Sequence, residues 1–596
     1  MSNRRPPRGN VNDKPKNFKV AIIKLLRYCK DYYGIILIGV ILSIISSIFS
    51  IISPDKIKDI INEITIGLST TINIDKIKSI TLFLVIIFVL SAIFNYIEAV
   101  LMATVTSKVS RNLRNRISKK INKLPLKYFD KNAYGDILSR VTNDVDTISH
   151  TLSDSIGNLV SSITLFIGVV LMMFITNSIM AITGIFATLI GFSLMAVILS
   201  KSQKYFIRQQ KELGNLNGFI EEVYTGHNVV KVYNGTNEAK DKFNNINDEL
   251  YKSARKSQFL SGLMPPMMGF IGNFGYVAIC IVGAMLVING NITIGVIVSF
   301  MIYTRLFTSP LSTIAQGITG LQSAAAAGER VSEFLEEVEV MDESNKKEVL
   351  DINKVKGEIK FNNIKFSYDK DIPIIKNFNV AIKPGEKVAI VGPTGAGKTT
   401  MVNLLMRFYE VNDGEITIDG VNINDITREN VHSLFCMVLQ DTWVFEGTIK
   451  ENIIYNKKNI TDEEVINACK VVGLDHFIKS LPNGYDTVLG DSENLSAGEK
   501  QLLTITRGML NDAPFLILDE ATSSVDTRTE ELVQKAMDKL TTGRTSFIIA
   551  HRLSTIKNAD LILVMKDGNI IEQGNHDELI KKNGFYNELY NSQFQD

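Results

Sequence analysis

The chain contains little cysteine and carries almost no net charge. Its 596 residues include four cysteines, Cys29, Cys280, Cys436 and Cys469, which lie far apart and form no CxxC pair. This spacing argues against a disulfide framework or a cysteine-ligated metal site, and it is typical of thiols that stay reduced. A net charge of +1 argues against a protein that coats nucleic acid. The length exceeds that of one domain.

Apolar residues are concentrated in the first half of the chain. The mean hydropathy is +0.11 although 21% of the residues are charged, which indicates separate apolar and polar regions. A helix that crosses a bilayer needs about 20 apolar residues. One such stretch could be a buried helix of a soluble protein, but six in a regular pattern predict six transmembrane helices. They are residues 35–53, which we expect Pro54 to end, 80 to just past 100, 156–175, 179–199, 263–288 and 292–309.

The distribution of basic residues predicts how these helices are oriented. Six basic residues lie within the first 19 positions, and ten lie between residues 108 and 140. The two shortest connections carry none, whereas the connection between the first two spans carries four lysines. Positive charge favours the cytoplasmic side, so we expect both termini inside. The basic tail is long and the first apolar stretch spans a membrane, so we expect no cleavable signal.

The two long internal connections, residues 104–154 and 201–261, are too charged to lie in lipid. Their spacing is largely helical, so we expect the spans to continue as helices into the cytosol. The segment from Glu333 to Asp351 is acidic and polar, which is typical of a linker.

A phosphate-binding motif lies in the second half of the chain. Residues 392–399 (GPTGAGKT) match GxxxxGK[ST] and stand between an apolar strand, 387–391, and a helix expected to begin near Lys398. In such a turn backbone N–H groups point at phosphate oxygens, and the helix N-terminus adds a favourable dipole. Lys398 is expected to reach the β- and γ-phosphates, and Thr399 to hold Mg²⁺. The predicted ligands of the nucleotide are Gly392, Thr394, Gly395, Ala396, Gly397, Lys398, Thr399 and Thr400.

Further motifs follow the phosphate-binding loop in a fixed order. Residues 495–499 (LSAGE) begin 96 residues after Thr399. Asp519 ends an apolar strand, Glu520 is the next residue, and His551 follows another apolar strand. A carboxylate at the end of such a strand suits the ligand shell of Mg²⁺, which assigns Asp519 to the metal. The ordered series resembles the ATPase domain of an ABC transporter.

This resemblance implies a role for several single residues. Glu520 would polarise the attacking water, His551 would contact the γ-phosphate, and Gln440 would join the metal site to the membrane domain. Tyr368 would stack on adenine. Each assignment has a plainer alternative: a buried acid pair, a structural histidine, or an aromatic side chain that belongs to the core.

The motif at residues 495–499 implies a dimer. In the family, Ser496 and Gly498 would bind the γ-phosphate of the nucleotide held by the opposite subunit, and residues 523–526 would cross the same interface. The common form is LSGGQ, so Ala497 adds a methyl group and Glu499 adds a negative charge. An altered signature beside an intact Glu520 and His551 favours a heterodimer with a second half-transporter, and a homodimer that tolerates the change is the alternative.

The turns of the two long connections resemble the coupling helices of ABC exporters, which dock on the ATPase domains. One turn contains Tyr128, Phe129 and Asp130, and the other contains Glu221 and Glu222. Ordinary packing at a helix turn is the alternative. We expect a transmembrane domain at 1–330, a linker at 331–355 and an ATPase domain at 356–596.

The predicted fold is an all-α membrane domain of six transmembrane helices followed by an α/β P-loop ATPase domain. The resemblance covers nearly the whole chain and implies a bacterial ABC multidrug exporter subunit in the cell membrane. It would use ATP and Mg²⁺ to move a small hydrophobic or amphipathic substrate, a drug or a lipid, and would contact membrane lipid but no nucleic acid. A peptide exporter and an ATP-gated channel or regulator of the same architecture remain open.

Two ionisable residues lie inside predicted spans. Counted at about 1.5 Å per residue, Glu98 and Arg305 lie in the inner half of a hydrocarbon core about 30 Å thick. Such residues are costly in lipid and usually face a partner or a water-filled cavity. We hypothesise that both line the inward-facing cavity, and that Glu98 attracts cationic substrates. Snorkelling to the headgroups or structural pairing is the alternative.

Replacing Glu98 tests this hypothesis. We predict that Glu98→Gln weakens transport of cationic substrates selectively, because it removes the attracting charge, and leaves neutral substrates and basal ATPase activity unchanged. Transport of a matched cationic and neutral pair measures the effect. Equal loss for both would assign Glu98 a structural role.

Overall fold

The chain divides into two units, which we describe separately. One comprises the described residues up to Asn122 together with Asn132–Val338, and the other comprises Lys123–Lys131 together with the residues from Glu339 onwards. The computed structural model describes residues 18–68, 71–369, 372–439, 442–490, 495–519, 527–549 and 556–594.

The first unit is built from helices. Within the described residues, six helical segments are long and apolar enough to cross a membrane. At about 1.5 Å per residue, the two helices of 48 residues reach about 72 Å, more than twice the hydrocarbon core. The expected continuation of the spans beyond the bilayer is therefore confirmed. The helices are α1 (Phe18–Tyr28), α2 (Tyr33–Gly67), α3 (Ile74–Ile121), α4 (Leu126–Lys131, assigned to the second unit), α5 (Tyr134–Ser139), α6 (Val145–Thr176), α7 (Ser178–Thr225), α8 (His227–Val232), α9 (Thr236–Gly262), α10 (Met264–Ile288) and α11 (Ile294–Glu336).

The expectation that Pro54 ends the first span is wrong. Helix α2 continues through Pro54 to Gly67. A proline removes one backbone donor, and neighbouring helices and side chains compensate for such a loss in membrane helices. Pro54 is buried, and beyond it Lys56 and Asp59 pair at 3.1 Å along the helix. Packing of the helix and local ion pairs therefore offset the cost of the backbone hydrogen bond that is lost at Pro54.

Small polar residues join α2 to its neighbours. Ser46 Oγ lies 2.7 Å from Ser91 Oγ of α3, and Ser47 Oγ lies 2.9 Å from Ser161 Oγ of α6. The Ser43 hydroxyl donates to the Gly157 carbonyl oxygen at 3.3 Å. Small side chains let membrane helices approach closely, and their hydroxyls find partners across the contact.

An ion pair joins α11 to the start of α6. Arg330 donates through Nε and Nη2 to both oxygens of Asp144, at 2.5–3.2 Å, and the Asp144 side chain is only 8% exposed. A second pair, Lys24 with Glu336 at 2.8 Å, joins α1 to the end of α11, but its carboxylate side chain is far more exposed, at 62%. Because α11 runs to Glu336, the first residues of the stretch predicted as a linker are helical.

The second unit contains a ten-stranded sheet with helices packed around it. The strand order is β5-β4-β1-β2-β12-β11-β3-β10-β9-β6. The strands are β1 (Ile359–Phe366), β2 (Ile375–Ile382), β3 (Lys387–Val391), β4 (Asp413–Ile418), β5 (Val421–Asn422), β6 (Phe435–Val438), β7 (Gly447–Thr448), β8 (Val488–Leu489), β9 (Phe515–Asp519), β10 (Thr545–Ile549), β11 (Leu561–Lys566) and β12 (Asn569–Gly574), with β7 and β8 forming a separate pair. The helices are α12 (Lys398–Leu405), α13 (Arg428–Leu434), α14 (Ile449–Ile454), α15 (Asp462–Val472), α16 (Asp475–Ser480), α17 (Ala497–Met509), α18 (Thr527–Thr541), α19 (His576–Lys581) and α20 (Phe585–Phe594).

Both faces of the sheet are buried. Along β3, Ala389 and Val391 belong to one apolar cluster, while Val388 and Ile390 belong to another. Side chains alternate between the two faces of a strand, so the continuous apolar run of β3 fills two cores. The expected α/β fold of this domain is confirmed.

The polar chain that enters this unit is anchored by one acid. Glu343 accepts from Arg407 at 2.7 Å and from Arg428 at 2.8 Å. Burial raises the pKa of Glu343, but the Arg428 backbone N–H, Lys346 and the two guanidinium groups outweigh it, and the pKa lies below its usual value. Arg407 is only 5% exposed, so this contact holds the segment firmly to the domain.

The buried ion pair gives a prediction about stability. Arg330→Met leaves the Asp144 carboxylate buried without its guanidinium, which should lower the free energy of unfolding by about 2–3 kcal/mol. The control Lys24→Met breaks an exposed pair and should cost about 0.5 kcal/mol. Thermal unfolding of the full chain in detergent compares the two. Equal shifts would show that the buried pair contributes no more than the exposed one.

Candidate functional site

Four parallel strands bring the predicted motifs to one edge of the sheet. Strands β3, β10, β9 and β6 are adjacent and parallel, and Ile549 pairs with both Ile390 and Asp519. The carboxyl ends of these strands therefore lie side by side. Residues 392–399 follow β3, and Asp519 is the last residue of β9. Ligands of open α/β sheets bind at this edge.

The loop after β3 requires glycine at two positions. At Gly392 an added Cβ would lie 2.2 Å from the Met565 carbonyl oxygen of β11, so a side chain cannot fit. Gly397 caps α12 with φ near 100°, a left-handed conformation that other residues rarely adopt. Helix α12 begins at Lys398 as predicted and has no acidic residue in its first turn. Its N-terminal N–H groups face the loop without a competing anion from that turn.

Lys398 is held inside the loop. Its Nζ donates to the carbonyl oxygens of Gly392 at 2.6 Å and Pro393 at 3.1 Å. Burial lowers the pKa of Lys398, and the negative charge of Asp519 partly offsets this. The half-buried ammonium group thus lies near the one carboxylate predicted to bind metal. The two carbonyl groups are neutral partners for Lys398. A phosphate in the loop would be a charged partner and would form a stronger hydrogen bond.

Tyr368 lies against the first turns of α12. Its hydroxyl donates to Thr400 Oγ1 at 3.3 Å and accepts from Asn403 Nδ2 at 3.4 Å. Its ring contacts Phe366 and Tyr409 edge to face, with centroids 4.9 Å apart in both pairs. The structure therefore brings Tyr368 to the loop, although it lies about 30 positions earlier in the chain. Asn403 and Tyr409 belong to no recognisable sequence motif, so their position beside Tyr368 could not be predicted from the sequence.

Several predicted residues lie outside the described residues. Gln440 follows β6, Glu520 follows β9, and His551 follows β10 in the sequence. Residues 523–526 also lie outside them. Their assignments stay predictions.

The altered signature forms the start of α17. Ser496 caps this helix and accepts from the Glu499 backbone N–H at 3.3 Å, while Glu499 Oε2 accepts from the Ser496 backbone N–H at 2.8 Å and from its hydroxyl at 2.8 Å. This is a capping box, a pattern that S-x-x-E in the sequence already indicates but that sequence reasoning missed. Gly498 is buried in the first turn, whereas Ala497 is exposed. Glu499 therefore has a structural role as well as an unusual charge.

The first predicted coupling turn belongs to the ATPase unit. The hydroxyl of Tyr409, in the ATPase domain, donates to Asp130 Oδ2 of this turn, and Lys131 Nζ of the turn lies 3.4 Å from Asp369 Oδ1. The Val340 backbone N–H donates to the Lys123 carbonyl oxygen at 2.9 Å. Docking of this turn on the ATPase domain is confirmed. In the second turn, Glu221 and Glu222 lie at the end of α7, and α8 follows, within the membrane unit.

The two ionisable residues of the spans occupy different environments. Glu98 is half-buried, and its carboxylate lies against α6, because a Cβ at Gly157 would be 2.0 Å from Glu98 Oε1. Its Cγ is also close to Gly39 of α2. Arg305 is exposed on α11. The packing of Glu98 between glycines favours the structural alternative, and the cavity role of both residues stays a prediction.

Two family models match the chain. Residues 36–311 match the ABC transporter transmembrane region, and residues 375–523 match a model described as ABC transporter. The first covers the described spans, and the second covers the loop after β3 and the signature at the start of α17.

Several proteins are similar to this chain over most of their length. A fatty acid ABC transporter ATP-binding/permease protein of Mycobacterium bovis is 43% identical over 84% of this chain and 79% of its own. An ATP-dependent lipid A-core flippase of Syntrophus aciditrophicus is 35% identical over 88% of this chain and 87% of its own. An uncharacterized ABC transporter ATP-binding protein of Bacillus subtilis is 37% identical over 98% of this chain and 96% of its own. The chain therefore belongs to the ABC transporter family, as a multi-pass half-transporter whose ATP hydrolysis is coupled to transport.

Proposed function

We propose that this chain is one half of an exporter that moves hydrophobic or amphipathic compounds, lipids or drugs, out of the cytoplasm or the inner leaflet. One observation carries the proposal: the segment Lys123–Lys131, which interrupts the membrane helices, is packed on the ATPase domain. A change in that domain can therefore act directly on α3 through the chain. The fatty acid and lipid A-core named for two relatives support an amphipathic substrate.

The basic residues near the first and second spans support an orientation with both termini in the cytoplasm. The reduced thiols, which are widely spaced, agree with a cytoplasmic ATPase domain. We assign the protein to the bacterial cell membrane.

The loop after β3 binds the phosphates of ATP in this proposal. Backbone N–H groups of residues 394–400 and the dipole of α12 attract the anion, and Lys398 moves from the carbonyl groups of Gly392 and Pro393 to the phosphate oxygens. Tyr368 stacks on adenine. Its hydroxyl is bonded to Thr400 and Asn403, so its ring is already held beside the phosphate loop.

The donors near the loop fit Mg²⁺. This ion prefers oxygen ligands and is usually shared between a few protein groups and substrate phosphates. Thr399 offers a hydroxyl and Asp519 a carboxylate, and Gln440 would add an amide oxygen. Mg²⁺, when bound, neutralises charge on the β- and γ-phosphates. Asp519 already lies close enough to raise the pKa of Lys398 against the effect of burial.

Hydrolysis in this proposal depends on residues that follow β9 and β10. Glu520 holds and polarises the attacking water, and His551 contacts the γ-phosphate. A positioned base of this kind contributes by orienting the nucleophile rather than by covalent chemistry.

We also propose that the working form is a heterodimer. Ser496 would donate to the γ-phosphate of the partner's nucleotide, but its hydroxyl donates to Glu499 Oε2. The carboxylate therefore competes for the hydrogen and repels phosphate. A partner with a neutral glutamine at this position would offer a better signature to Lys398 and Glu520 of this chain.

Transport into sealed inverted vesicles tests the proposed export. ATP should drive uptake of a labelled fatty acid or lipid against its gradient. Glu520→Gln should keep ATP binding but lower hydrolysis by about 100-fold or more, and uptake with it. Lys398→Ala is the matched variant that should weaken ATP binding itself.

Other outcomes of the vesicle experiment identify the alternatives. ATP-dependent equilibration without accumulation would indicate a gated channel, and accumulation of peptides alone would indicate a peptide exporter. Wild-type hydrolysis in the Glu520→Gln complex would remove Glu520 from catalysis.

The signature gives a separate prediction. In complexes of this chain alone, Glu499→Gln should raise ATPase activity by about tenfold, because the amide keeps the capping bond and removes the charge. A matched change, Glu464→Gln in the capping box of α15, should have no effect. Addition of a partner subunit that carries LSGGQ should raise the ATPase activity of the wild-type chain by a similar factor. Full substrate-stimulated activity of this chain purified alone would contradict the heterodimer.

A further inference from the structure

Three aromatic rings form a cluster beside the proposed nucleotide site. The centroids of Phe366, Tyr368 and Tyr409 lie 4.9–5.7 Å apart, and all three pairs meet edge to face. Such geometry is favourable and directional, since the ring edge of one residue points at the face of another. A restraint on one ring is therefore passed to its neighbours.

A hydrogen bond joins this cluster to the coupling segment Lys123–Lys131. Phe366 has no polar group, and the Tyr368 hydroxyl is bonded to Thr400 and Asn403. The Tyr409 hydroxyl donates to Asp130 Oδ2. Burial, the bond to Asp130 and the charge of that carboxylate all raise the pKa of Tyr409 above its usual range, so the phenol stays a donor at physiological pH.

A second connection runs beside the first but is weaker. Lys131 Nζ lies 3.4 Å from Asp369 Oδ1, and Asp369 follows Tyr368 in the chain. Both side chains are more than half exposed, at 59% and 65%. Exposed pairs contribute little, so the bond from Tyr409 is the stronger of these two polar connections.

We propose that Tyr409 is a positioning residue that couples adenine binding at Tyr368 to the docking of the segment Lys123–Lys131. The inference rests on the proposed nucleotide site. A base stacked on Tyr368 restrains that ring, the restrained cluster fixes Tyr409, and the Tyr409 hydroxyl holds Asp130. The segment continues into α3, which ends at Ile121, so the restraint enters a membrane helix through the chain.

This route begins at the base rather than at the γ-phosphate. It does not pass through Gln440, the metal or the γ-phosphate, so ADP should engage it as well as ATP. Coupling between two sites is reciprocal. If adenine stabilises the docked segment through Tyr409, the bond from Tyr409 to Asp130 must in turn strengthen adenine binding by the same factor.

Hydrogen exchange of the Leu126–Lys131 amides, measured on the full complex in lipid discs, tests the proposal. ADP should slow exchange of these amides by about fivefold or more in the wild type. Tyr409→Phe keeps the ring and removes the hydroxyl, and should reduce this slowing to less than about twofold. ADP affinity should fall by a matching factor. Tripolyphosphate, which lacks the base, should leave the exchange unchanged.

The chain offers a matched control. Tyr485 donates to Asp475 Oδ1 at 2.7 Å elsewhere in the ATPase domain, so Tyr485→Phe removes the same kind of bond. It should keep the slowing by ADP. Asp130→Ala should reproduce Tyr409→Phe, and the double variant should be no worse than either single one, as expected for two ends of one bond.

Three results would overturn the link. Tyr409→Phe could leave the slowing by ADP intact, or it could speed exchange equally with and without ADP, which would make the bond a simple tether. Tripolyphosphate could also act as strongly as ADP. Failure of ADP to bind would instead defeat the proposed nucleotide site, and calorimetry on the same samples separates that case.

Discussion

Lipid offers the backbone no hydrogen bonds, and the first unit is organised around that constraint. Every span is a helix that satisfies its own N–H and C=O groups, and hydroxyls between helices bond to one another or to carbonyls, as Ser43 does to Gly157. Even Pro54 is accommodated inside a continuous helix. The segment Lys123–Lys131, which follows α3 in the chain, belongs to the second unit and interrupts this series of helices.

The ATPase domain depends on a different constraint, the shared edge of its parallel strands. Residues separated by more than 100 positions meet there because β3, β9 and β10 are neighbours. The same neighbours restrict the loop: the Met565 carbonyl oxygen of β11 leaves no room for a side chain at Gly392. The close approach that suits phosphate binding is thus imposed by packing within the sheet.

The signature shows how one residue can have two conflicting effects. Glu499 stabilises the start of α17 through a capping box, which typically contributes about 1 kcal/mol. Its charge is nevertheless unfavourable for a helix end that is expected to face phosphate. A glutamine would serve the cap without the charge. Glu499 therefore adds a negative charge that the capping box itself does not require.

The sequence by itself determined the family, the six spans and the placement of β3, β9 and α12, because hydrophobic runs and the phosphate-binding motif are local patterns with strong physical requirements. It also determined that Lys398 begins a helix and that Asp519 ends a strand. Only the tertiary structure decided that α2 passes through Pro54, that Glu98 packs against Gly157, and that Tyr409 bonds to Asp130, almost 280 positions away. These features depend on which surfaces meet after folding, and no local pattern specifies a contact between distant segments.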